Sequence, residues 1–368
     1  MKTKLSKDDA INKKLSACTF SNRRFSLIIT ALLALLILST VLCIILGPVH
    51  VEPRFTWRIL LHQILGDRSS LEVDWDKSQF IIVWLIRYPR VLLGLVVGAG
   101  LAVVGTGLQA LTRNQLADPH LLGISSGASV TAVLSILFGV FSAFGQYGLS
   151  LSAFIGALGT MVLVYFIAQE NGRVITTRLV LGGVALSMTL GGVTNLIVTM
   201  GGSEAGIRSA LQWMLGSLSS ASWEQLPIPA IVMLLGTAAL FITYRSLNGI
   251  LMGDDVAVSM GINVVRYRKF LLITTSVITG VLVAVSGAIG FIGLMVPHVS
   301  RMIVGADNRK VIPVSMLIGA IFTIWMDLLA RTVAAPSEFP IGVLTSIVGG
   351  PFFIWMLRKK KRSAAGRG

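Results

Sequence analysis

The four histidines, His50, His62, His120 and His298, are scattered and lack ligand spacing, so each reads as structural and no metal site is expected. No glycine-rich phosphate loop, paired catalytic carboxylates or nucleophile–base pattern occurs, so the chain is expected to hold no catalytic residue and no cofactor. Three polar groups remain. Arg87 and Arg90 bracket Tyr88-Pro89 at the edge of an apolar run, and Arg331 sits at another such edge. Asp327 is a lone acid inside an apolar segment, four residues before Arg331, which is the spacing of a helical ion pair. Asp254 and Asp255 open a short amphipathic piece that ends at Gly261. An ion-driven carrier usually shows ionisable groups within its membrane segments. One aspartate is thin support for that, so the chain reads as a passage that another component powers.

The composition places these residues in a membrane. Charged residues make up 13% and hydrophobic residues 54% of 368, with mean hydropathy +0.82. A soluble domain carries roughly 25% charged residues. The expected fold is all-α and polytopic, with about ten transmembrane helices near 27–47, 81–111, 121–141, 149–169, 178–200, 227–246, 269–287, 289–304, 311–331 and 341–357. The net charge of +15 does not point to nucleic acid, because it gathers in two tails. One holds Lys2, Lys4, Lys7, Lys13, Lys14, Arg23 and Arg24, and the other runs from Arg358 to Arg362 with Arg367. Such clusters mark cytoplasmic ends, and two cytoplasmic tails require an even number of crossings. The domain reading is a basic tail at 1–26, a membrane domain at 27–357 and a basic tail at 358–368. The first apolar run is too long for a cleaved signal and reads as a retained anchor helix. Cys18 and Cys43 have no redox or metal spacing.

Two stretches stand out. Arg87–Ser129 runs from a charged lip through a helix containing Gly94, Gly98, Gly100, Gly105 and Gly107 to a polar elbow, Arg113–Pro119. Glycines at that density suit a helix that others approach closely. Residues 247–268 carry Leu251, Met252, Val256 and Met260 outside any span. Such an apolar stripe fits either a partner surface or lipid headgroups.

Several motifs then match in order. They are Arg87-Tyr-Pro-Arg90, Leu108-Gln109-Ala110, Asn114-Gln-Leu-Ala-Asp-Pro119, Leu122-Gly-Ile-Ser-Ser-Gly-Ala128, Trp213-Met-Leu-Gly-Ser217, Met252–Gly261, Gly287–His298, Phe339-Pro-Ile-Gly342 and Gly350–Trp355. The chain resembles, over roughly 25–357, the iron–siderophore, haem and vitamin B12 permeases, the ten-helix membrane subunits of type II ATP-binding-cassette importers. It departs from that pattern at Gln115, where the family usually has proline, and at Tyr88 and Phe339, which replace leucines.

The resemblance implies a homodimer with a channel between the copies, in a bacterial cytoplasmic membrane. Two cytoplasmic ATPase subunits bind ATP and Mg, and an extracytoplasmic binding protein delivers a metal chelate. A ferric siderophore is the first expectation for that chelate, with haem and cobalamin as alternatives. Met252, Gly253, Asp254, Asp255, Ala257, Ser259 and Gly261 are implied to couple to the ATPase. Arg87, Arg90 and Arg331 are implied to dock the binding protein. Asn114, Leu116, Thr176 and Thr177 are implied to form an inner gate. Spans five and ten and an outer helix near 203–217 are implied to wall the channel. A stand-alone secondary transporter and a membrane scaffold or receptor are the readings of other classes; neither needs a coupling segment or an outer arginine patch.

Overall fold

The computed structural model describes residues 22–65, 74–170 and 172–365. The basic residues at 2–14, Cys18, Arg68 and Arg367 lie outside the described residues. The described residues are helical nearly throughout, with one hairpin among them of two-residue strands, β1 (Gln169–Glu170) and β2 (Arg173–Val174). In apolar surroundings the backbone must satisfy its own N–H and C=O groups, and a helix does so within one segment.

The order is α1 (Asn22–Ile45), α2 (Pro53–Leu65), α3 (Lys77–Thr112), α4 (Ile124–Phe138), α5 (Gly148–Ala168), α6 (Thr176–Thr199) and α7 (Glu204–Met214). It continues with α8 (Pro227–Ile242), α9 (Tyr244–Met252), α10 (Asp254–Ser259), α11 (Val264–Ser286), α12 (Ile292–Val304), α13 (Asn308–Thr332) and α14 (Ile341–Ala365). Among the described residues, six helical runs are long and apolar enough to cross a membrane. The pair α8 and α9, bent by 61°, makes a seventh if taken as one span. Three further apolar helices, α4, α12 and Ile341–Met356 of α14, are shorter. Every expected segment is therefore a helix, but a count of ten crossings does not follow from length. A straight crossing takes about 20 residues, whereas α4 has 15 and α12 has 13. The apolar sequence here continues into irregular backbone, the 3-10 turn Pro119–Leu122 before α4 and the break Gly287–Phe291 before α12.

Helix α3 is the axis of the bundle. Its most apolar window is 89% buried, against 17% for α1 and α6. After a first turn, Lys77–Phe80, it widens into a π segment, Ile81–Arg87, in which Tyr88 N–H reaches back five residues to the Val83 carbonyl. The wider turn lies just ahead of Pro89, which has no N–H to give and would crowd an ordinary helical turn. Backbones touch along α3 where glycines face each other. A Cβ on Gly98 would strike the Gly319 carbonyl of α13, and one on Gly319 would lie 2.6 Å from the Ala102 methyl. A Cβ on Gly105 would lie 2.6 Å from the Gly293 Cα of α12.

Other contacts gather helix ends into two polar layers. At one end, Asn248 of α9 donates to Asp307 at 2.8 Å and accepts from the Asn308 backbone N–H at the start of α13. Lys310 lies over the Phe25 ring of α1, placing the start of α1 there too. The basic residues Arg113, Arg266, Arg268 and Arg309 share this end, which agrees with a cytoplasmic face. The opposite end brings together the end of α1, the start of α3 and the end of α13.

Gly105→Val should push α3 off α12 and cost about 1–3 kcal/mol, the usual range for overpacking. Gly159→Ala on α5, where a Cβ meets nothing within 4 Å, should be neutral or mildly stabilising. Thermal unfolding of the detergent-solubilised variants checks the contrast; equal losses for the two would remove the case for a tight backbone seam at Gly105.

Candidate functional site

At the cytoplasmic end, α10 is a single exposed turn and a half held by charge. Gly253, at φ +130, makes the corner that separates it from α9. Asp254 and Asp255 fill its first turn, where the helix dipole favours acids. Asp254 accepts from Arg268 of α11 at 3.0 Å and from Arg113 at the end of α3. Arg113 also donates to the Ile250 carbonyl at 2.9 Å, and Arg268 to Val174 of β2 at 3.2 Å. Ala257 is buried, Ser259 donates back to the Val256 carbonyl, and Gly261 at φ +78 ends the piece. What faces outward is apolar: Met252 is 72% exposed, Val258 63% and Met260 56%. Asp255 is exposed. The expected coupling residues thus divide into anchors (Gly253, Asp254, Ala257) and a presented face. Val258 belongs to that face and is absent from the expected set, although its apolar type was the available signal.

At the opposite end the three arginines, expected to dock the binding protein, point inward. Arg87, Arg90 and Arg331 are 3%, 5% and 2% exposed. Arg87 donates to the carbonyls of Ile45 at 2.7 Å, Ile44 at 3.1 Å and Val49. It thereby caps the C-terminus of α1, where carbonyls lack helical partners. Arg90 donates through Nε to Asp327 at 2.9 Å and through Nη1 to both oxygens of Glu338, at 3.0 and 2.9 Å. Arg331 pairs with Asp327 one turn away at 3.5 Å, as the spacing predicts, and donates to the Cys43 carbonyl. The physical reason is that Asp327 is 1% exposed and cannot remain charged there without cationic partners. Glu338 is a closing member of this cluster that the sequence offered only as a lone acid.

Between these ends, the elbow returns the chain into the bundle. Arg113 adopts a left-handed conformation, Asn114 Oδ1 accepts from Leu116 N–H at 3.0 Å, and Asp118 Oδ1 accepts from His120 N–H at 2.9 Å. Gly123, at φ +75, starts α4. A cavity of about 810 Å³ opens where the elbow, the end of α7, the α11–α12 break and the start of α14 meet. Asp118, His120, Met214, Leu215, Phe291, Ser346 and Ile347 are among its walls. It therefore unites the outer helix and the last helix of the expected channel wall; α6 instead leaves Leu181, Met188 and Leu196 exposed. The expected gate residues do not line this cavity. Asn114 and Thr177 are exposed, Leu116 and Thr176 half-buried, and no hydrogen bond joins the two pairs among the described residues. Gln109, which donates to the Gly293 and Leu294 carbonyls at 3.2 and 3.1 Å and accepts from Arg301, ties α3 to α12 behind the cavity. No group of residues able to hold a metal ion occurs among the described residues.

The FecCD transport family model matches residues 35–359, most of the chain and all three of these sites. The chain belongs to the FecCD transport family. It is similar to the cobalamin import system permease protein of Halobacterium salinarum, at 41% identity over 80% of this chain and 78% of that one. It is also similar to the hemin transport system permease protein of Yersinia pestis, at 38% identity over 83% and 90%. Among solved structures, an inward-facing putative metal-chelate type ABC transporter superposes with a TM-score of 0.76 at 30% identity, covering 90% of this chain and 99% of that one. This FecCD permease is thus a multi-pass protein of the bacterial cell membrane and a permease subunit of a type II ABC importer for metal chelates, with ATP hydrolysis in a separate subunit.

Arg90→Ala leaves Asp327 with Arg331 alone and should cost about 3–5 kcal/mol, the range for breaking a buried pair. The triple variant Arg90→Met/Asp327→Leu/Arg331→Met removes all three buried charges and should recover most of that loss. Denaturation midpoints of the two check this; a triple variant no more stable than Arg90→Ala would deny the pairing its structural role.

Proposed function

We propose that two copies of this chain form the translocation unit of an ATP-driven chelate importer, with one ATPase subunit seated on each α10. The observation that carries this reading is the short helix itself. It is clamped to α3 and α11 through Asp254 yet presents Met252, Val258 and Met260 to solvent. A helix meant to lie free on headgroups has no need of ion-paired anchors on two elements. One that must pass a displacement into the bundle does.

On this reading α4, α12 and α14, each continued by irregular backbone, complete ten crossings with both tails cytoplasmic. Irregular backbone at membrane depth is tolerated where it is buried in protein or lines a cavity, and both breaks meet the cavity wall. The uncovered apolar faces of α6 and α14 are the surfaces offered to the second copy. The chain holds no cofactor of its own; ATP and Mg sit in the ATPase partner. Asn114, Leu116, Thr176 and Thr177 remain the proposed inner gate, from their place at the cytoplasmic ends of α3 and α6. A binding protein delivers the chelate at the opposite end. Docking through Arg90 would require its carboxylates to displace Glu338, since the guanidinium is already filled. The family resemblance makes a ferric siderophore the first reading of the cargo. The relatives named for cobalamin and hemin make a metal tetrapyrrole the second.

Met252→Asp/Val258→Asp places charge on the presented face and leaves the anchors intact. It should lower co-purification of the ATPase subunit, and ATP-driven chelate uptake by proteoliposomes, at least tenfold without changing the unfolding temperature. Undiminished uptake by this variant, or uptake driven by an ion gradient with no ATPase present, would overturn the reading.

A further inference from the structure

The turn between α4 and α5 is as apolar as the helices it joins. No Asp, Glu, Lys or Arg occurs between Asp118 and Glu170, a stretch that holds α4, the turn and α5. The turn lies at the outer end. Leu137, near the end of α4, packs on Gly201 and Gly206 beside the start of α7, whereas α5 runs on to the hairpin whose Val174 meets Arg268 at the cytoplasmic end. The outer segments that follow α1, α6 and α13 each carry an acid, Glu52, Glu204 and Glu338. This one carries no charge, yet Phe138, Val140, Phe144 and Tyr147 are all exposed. Large apolar side chains clustered on a surface call for a partner.

Two observations say which partner. The first is continuity. Ile155, Val162, Leu163 and Phe166 are exposed on α5 at helical spacing, so they form one apolar face along it. Tyr147, itself helical in conformation, precedes Ile155 by two turns and carries that face into the turn. In a chain that crosses the membrane, such a face meets lipid. The second is depth. Helix α5 has 21 residues, about 31 Å at the helical rise, which matches the roughly 30 Å hydrocarbon core. The turn at its outer end therefore falls in the interfacial layer, where aromatic rings are favoured. The turn is also preformed. Ser142 N–H donates to the Gly139 carbonyl and Phe144 N–H to the Phe141 carbonyl, both at 3.0 Å, which satisfies part of its backbone without water. Phe141 holds φ +71, a costly conformation for a bulky residue, and its ring meets that of Phe144 with centroids 6.0 Å apart. A Cβ on Gly148 would strike the Phe141 carbonyl, so the turn is folded tightly onto the start of α5.

We propose that residues 138–147 form a membrane wedge set into the interfacial layer of the outer leaflet, with phospholipid at the glycerol and upper acyl level as the partner of the exposed rings. Lipid, rather than another subunit, then fixes the outer end of the α4–α5 pair.

The test measures depth in the full-length permease, with Cys18→Ser as background and the buried Cys43 left in place. Nitroxides are attached through Ala143→Cys in the turn, Leu163→Cys on the α5 face and Asp255→Cys on α10, one per preparation, in nanodiscs of palmitoyl-oleoyl phosphatidylglycerol and phosphatidylcholine. Power saturation of the electron paramagnetic resonance compares collisions with oxygen, which partitions into lipid, and with a nickel chelate, which stays in water. The oxygen-to-nickel ratio at position 143 should exceed that at 255 severalfold and fall below that at 163. Adding Val140→Asp/Phe144→Asp should bring position 143 down to the value at 255 and leave position 163 unchanged, as a bundle still folded requires. Equal ratios at 143 and 255 without those substitutions would place the turn in water, open to a binding protein, and overturn the proposal. Exclusion of both reagents from 143 overturns it too, and dipolar broadening there would identify a second copy as the cover. A ratio at 143 unmoved by the two aspartates also overturns it, since the apolar side chains would not be what holds the turn in lipid.

Discussion

The close approach of α3 to α12 and α13 is the constraint from which the remaining architecture follows. Hydrophobic burial gives helices little reason to associate among lipid tails, so packing depends on how near the backbones come. Gly98, Gly105, Gly293 and Gly319 let α3 make backbone contact with two neighbours. A helix surrounded in this way cannot tilt or slide without moving them. Arginines meet its neighbours toward both ends, Arg87 and Arg90 against α1 and α13, and Arg113 against α10.

This arrangement joins the two faces of the protein mechanically. Asp254 holds the guanidinium of Arg113, which closes α3, and that of Arg268, which lies in the first turns of α11. The far end of α3 is locked by Asp327 and Glu338. Helix α10 is thus tied to one end of the same helix whose other end is held by Asp327 and Glu338. The cavity lies beside that helix, walled by segments that are irregular at the level where the helices are interrupted.

Much of this was legible in the sequence. The low charge and long apolar runs announced the membrane, and Asp254–Gly261 announced a short amphipathic piece outside the spans. Asp327 and Arg331 announced an ion pair by spacing alone. The lengths of α4 and α12 were not legible, because hydropathy cannot tell a helix from apolar backbone in a 3-10 turn or a break. The orientation of the arginines was not legible either. Arg90 and Asp327 are 237 residues apart in the chain, and only the fold brings them together. His120 looked like one of four unrelated histidines until the elbow placed it at a cavity wall.

The break between α11 and α12 also bears on how the protein is made. Helix α12, at 13 residues, is too short to be held by lipid as it leaves the ribosome. The Ser286 carbonyl at the break is met by Ser217 N–H at 2.8 Å, and Gly216 in turn accepts from Ile341 N–H at 3.0 Å. Ser217 precedes the break in the chain, so the Ser286 carbonyl finds its partner on a segment already made, whereas the Gly216 carbonyl waits for Ile341. A helix translated later, α14, thus closes the hydrogen-bonding of the loop that follows α7.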